Sequence, residues 1–135
     1  ALIRTMMENA KKEFELIEEI RSLFEQLKET EKDRIVSGIY VLPPCRQEYI
    51  IIAEKLIQKA YELSELNNKY DTSRLPSVLS REVDHVNSHE FDYYPNGKVK
   101  PESVTELKKL MRDATWHIKA AFMDVLGDLQ IEYIS

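Results

Sequence analysis

The sequence predicts an all-α fold, an antiparallel helical bundle of three long helices plus one or two short ones. Three observations carry that expectation. Apolar residues recur in steps of three and four through three long segments, and only 3 of the 135 residues are glycine. No Pro or Gly falls inside those segments; all of them lie between or beyond.

The first segment places Ile3, Met7, Ala10, Phe14, Ile17, Ile20, Phe24 and Leu27 on one helical face, with Glu, Lys and Arg outside, and predicts a helix over 2–29. Gly38 and Pro43-Pro44 punctuate the connection that follows. Pro44 suits a first helical turn, where no N–H is needed. In the second segment, 45–68, Tyr49, Ile52, Ala53, Leu56, Ala60 and Leu63 form a stripe widened by Ile50, Ile51 and Ile57. So broad an arc implies burial on more than one side. Asn67-Asn68 and Asp71-Thr72-Ser73 mark its exit. A short helix fits 76–86, and Tyr94-Pro95-Asn96-Gly97 has the chemistry of a turn. Pro101, with Glu102 and Glu106 behind it, opens the last helix over 102–126. Its core stripe is Leu107, Leu110, Met111, Ala114, Ile118, Ala121, Phe122 and Val125. Gly127 ends it, and Leu129–Ile134 is an apolar tail.

The chain reads as one domain, 1–135, of ordinary globular composition: 43% hydrophobic and 32% charged, with no repeat or linker. A single cysteine, Cys45, excludes an internal disulfide and favours a reducing, cytoplasmic setting. No apolar run approaches the roughly 18 residues of a membrane span, and no signal peptide is visible. Ala1 in place of an initiator Met suggests a processed start or absent upstream residues. The net charge of −5 opposes nonspecific binding to polyanions. Residues 98–119 depart from it, with six basic residues (Lys98, Lys100, Lys108, Lys109, Arg112, Lys119) against three acids. Such a patch is commonly a solvated helix face. Walker, Rossmann and kinase patterns are absent, and no cofactor or metal is implied.

The last helix has a second unusual face. With the core stripe at 0°, Trp116, Ala120 and Met123 fall near 160–220°, where a surface helix should be polar. The helix therefore reads as sandwiched, its back against another element of the chain or against a second copy. Arg112 flanks this face on one side, and Asp113 and His117 on the other.

Arg112, Asp113 and His117, spaced Arg-Asp-x3-His late in an all-α domain of this size, resemble the signature of the HEPN superfamily. The resemblance implies a homodimeric helical domain, with the motif at the dimer interface. It also implies a metal-independent endoribonuclease of toxin or defence type, or an inactive RNA-binding relative. His117 would be the general base for a 2′-hydroxyl and Arg112 the cation for the phosphorane charge, with Asp113 supporting them. Roughly 140° separates Arg112 from His117 on the helix, so both would meet one phosphate only across a dimer. The same residues also read as a flank histidine and a surface cation. The alternative is a non-catalytic, dimeric protein-interaction or regulatory module, with an antitoxin-like or regulatory protein as partner.

Lesser candidates are His85-x3-His89 as a metal pair or a solvated polar segment, and Cys45 as a thiol at a helix start. Tyr93-Tyr94 beside Lys98 and Lys100 would either stack on bases or anchor packing.

Overall fold

The computed structural model describes residues 2–32, 34–36, 39–41, 45–67 and 70–127. Gly38, Pro43, Pro44, Asn68 and the tail 129–134 lie outside the described residues. Four helices dominate: α1 (Leu2–Glu29), α2 (Cys45–Asn67), α3 (Leu75–Asn87) and α4 (Pro101–Leu126). Between α1 and α2, β1 (Arg34–Val36) and β2 (Ile39–Val41) pair antiparallel, with Ile35 opposite Tyr40. Among the described residues no helix is long and apolar enough to cross a membrane.

Helix punctuation follows the sequence closely. Pro76 sits in the first turn of α3, after Asp71 Oδ1 accepts the N–H (3.1 Å) and hydroxyl (2.7 Å) of Ser73. Pro101 opens α4 from an extended Lys100, and Gly127 closes it at φ 75°, a conformation that favours glycine.

Successive helices run antiparallel. Tyr70, just past α2, donates its hydroxyl to Glu13 of α1, and Arg46 at the start of α2 donates to the His89 carbonyl just past α3. α1 packs chiefly on α2, α2 on α3, and α3 on α4, while α4 also meets α1 and α2. α2 thus buries two sides, as its wide arc requires. The core joins Phe24, Leu27, Tyr49, Leu56, Leu79, Met111, Ile118 and Phe122, all buried. Phe24 and Phe122 meet edge to face at 5.5 Å, worth about 0.5–1.5 kcal/mol beyond their burial. Tyr49 donates to Thr115 Oγ1 (2.9 Å), and Thr115 donates to the Met111 carbonyl (2.9 Å), so both buried hydroxyls are satisfied.

α1 departs from the expected single stripe. Ile20, Leu23, Phe24 and Leu27 are buried, whereas Leu2, Ile3, Met6, Met7 and Phe14 are exposed. The helix runs its full length, but Tyr70 meets it at Glu13. The earlier turns extend beyond that contact.

Candidate functional site on the outer face of α4

α4 buries Val104, Leu107, Met111, Ala114, Thr115, Ile118, Lys119 and Phe122 on one side. The opposite side carries every residue of the motif. Arg112, Asp113, Trp116, His117 and Ala120 are exposed and Met123 is half-buried, with Trp116 at 52% of its surface in water.

His117 sits on the α3 flank. Its Nδ1 lies 3.2 Å from Oε1 of Glu82, a carboxylate only 5% exposed in the middle of α3's buried stripe. A carboxylate at that distance holds the imidazole proton on Nδ1 and leaves Nε2 as the basic nitrogen. The Arg81 guanidinium approaches the same oxygen at 3.7 Å. Beside this pair, His117, Ala120 and Asp124 of α4 line a cavity of about 230 Å³ with Arg74, Val78 and Arg81.

Arg112 sits on the α1 flank, where Lys28, Lys108, Arg112 and Lys119 surround Glu31. Burial raises the Glu31 carboxyl above its ordinary value, against the pull of those cations, and its Oε1 has no hydrogen-bond partner. Burial, and then the like charge of Arg112, lower the Lys108 ammonium. Lys119 is not on a solvated face: it is 3% exposed, with Nζ 6.0 Å from the Phe24 ring centroid, and burial lowers its pKa too. The basic region is therefore split, with Lys119 inside the bundle and Lys109 and Arg112 outside.

Within one chain, then, the helix holds Arg112 and His117 on opposite flanks, and the cavity lined by His117 does not include Arg112. Glu82 is the residue that sequence reasoning missed. Its signal was legible: Leu75, Leu79, Glu82 and Val86 form a buried stripe with a carboxylate in third place.

The secondary candidates divide. α3 ends at Asn87, so His85 and His89 do not share a helix. His89 donates from Nε2 to the Ser103 carbonyl at 3.1 Å and meets Phe91 edge to face at 5.3 Å. Among the described residues no group of three His, Cys, Asp or Glu side chains is placed to hold a metal. α2 begins at Cys45. Tyr93 and Tyr94 are exposed, at 56% and 42%, and so do not anchor packing.

Compared with family models, curated proteins and solved structures, the chain matches none of them.

Proposed function

We propose that this chain is a non-catalytic helical interaction module that works as a homodimer through the outer face of α4. One observation carries the reading. Trp116 stands 52% exposed in the middle of a helix whose other side is fully packed, with Ala120 exposed and Met123 half-buried next to it. An indole flanked by a small residue and a thioether is the composition of an interface core rather than of a solvated face. Pairing about a two-fold axis would use the same patch twice. A regulatory or antitoxin-like protein is the partner class this module would serve, in the reducing cytoplasmic setting that a single cysteine favours. Light scattering should find the wild type dimeric and Ala120→Arg a folded monomer. A wild type that stays monomeric at high micromolar concentration ends the proposal.

A second reading is favoured by the Glu82–His117 pair. A buried carboxylate fixing Nδ1 is what a general base at Nε2 needs, and the HEPN-like arrangement asks for such a base. In that reading Arg112 comes from the second copy, and RNA is cleaved without metal. Activity on single-stranded RNA in excess chelator that disappears in His117→Ala supports it. Equal decay in wild type and variant assigns the activity to a contaminant and leaves the interaction module standing.

A further inference from the structure

We propose that the hairpin between α3 and α4 is a binding site for single-stranded nucleic acid, with Tyr94 stacking on an unpaired base and Lys98 and Lys100 holding the flanking phosphates. This goes beyond the interaction-module reading and does not depend on chemistry at α4. The hairpin is built by its own hydrogen bonds. Tyr93 bridges to Val99, the Tyr94 N–H donates to the Lys98 carbonyl (2.7 Å), and the Lys100 N–H donates to the Asp92 carbonyl (2.8 Å). Gly97 turns the chain at φ 82°, and Asn96 Oδ1 accepts the Lys98 N–H. The base of the hairpin is tied to α4, where buried Ser103 Oγ accepts the Asp92 N–H at 3.1 Å.

In that register side chains alternate between the two faces of the ribbon. Tyr94, Lys98 and Lys100 share one face with Asp92, while Tyr93 and Val99 share the other. The Lys100 ammonium stands 5.9 Å from the Tyr94 ring centroid, in agreement with that assignment. Both tyrosines are exposed, so the fold leaves two aromatic rings in water on a braced scaffold. Lysine is depleted from protein–protein interfaces, whereas an aromatic ring bracketed by ammonium groups suits a base with its phosphates. A braced hairpin also loses little freedom on binding.

The test is fluorescence anisotropy of a labelled oligouridylate of roughly ten nucleotides, titrated with the full chain at low salt. Wild type should bind, and Tyr94→Ala should bind at least about 5-fold more weakly, while Tyr94→Phe stays within about twofold. The double variant Lys98→Ala/Lys100→Ala should make the negative slope of log affinity against log salt shallower by about 1.4, roughly 0.7 per lost phosphate contact. Circular dichroism checks that each variant is folded. Absence of wild-type binding, unchanged affinity in Tyr94→Ala, or a duplex competing as well as the single strand would each overturn the proposal. A Tyr94→Phe loss as large as that of Tyr94→Ala would overturn it too, by assigning the contact to the hydroxyl.

Discussion

At the scale of single residues, the Glu82–His117 contact separates structural from chemical roles. Glu82 is nearly dry, whereas the His117 side chain is 57% exposed. Removing His117 takes the Nδ1–H donor from a buried carboxylate and leaves it the Arg81 guanidinium at 3.7 Å, at the edge of an ion pair. Removing the carboxylate strands only a wet imidazole. His117→Ala should therefore cost about 1–3 kcal/mol in urea unfolding. Glu82→Met, which fills the same apolar stripe, should stay within about 1 kcal/mol of wild type or exceed it. The reverse ranking would mean that Glu82 is hydrated and holds nothing. This pair was half legible beforehand. The spacing of Arg112 and His117 gave their 140° separation, which the fold keeps. That a carboxylate would fill one flank depended on α3 crossing there, which no local pattern encodes.

Elements were read with uneven success, and the reasons are physical. Boundaries of α3 and α4 are set by local chemistry, by Pro76, Pro101 and Gly127, and such chemistry is visible in a sequence. The hairpin of Arg34–Val36 and Ile39–Val41 had a signal as well, two β-branched runs parted by Ser37-Gly38, but they are short enough to read as a connection. Burial along α1 had no such signal. Its stripe is equally apolar at Ile3 and at Phe24, and only the place where Tyr70 meets it decides which half is covered. Lys119 fails in the same way, since charge in a sequence does not show that the residue is buried with its ammonium over the Phe24 ring. The α1–α4 contact has a pH consequence at Glu31. Its folded pKa is raised above the unfolded 4.5, chiefly by burial. The protonated form therefore stabilises the fold, fully below pH 4.5, and that contribution is lost as pH rises through the folded value. Glu31→Gln removes the loss. Relative to wild type, its stability should gain as pH climbs from 4 toward 7, measured by urea midpoints across that range. A parallel pair of pH profiles would show that Glu31 titrates as in water.

For the molecule as a whole, the question is whether two copies do together what one cannot. The proposed isologous interface through Trp116, Ala120 and Met123 would place each copy's Arg112 and His117 at the rims of one shared patch. The two residues leave α4 on opposite flanks, so a two-fold axis parallel to α4 would bring the other copy's Arg112 to the flank of each His117, and the composite site requires that axis. If the pair cleaves RNA, each site is then a composite of two chains. Arg112→Ala and His117→Ala homodimers would each hold two broken sites. Refolding the variants together at equal concentration gives about half heterodimers by random assortment. A heterodimer joins the intact Arg112 of one copy to the intact His117 of the other at one site, while its second site carries both lesions. The mixture should therefore regain about a quarter of wild-type turnover, metal-free, from two variants inactive alone. Wild-type activity without any recovery on mixing would place both residues' roles within one chain, against the separation the helix imposes. Absence of wild-type turnover under the same conditions would end the ribonuclease reading.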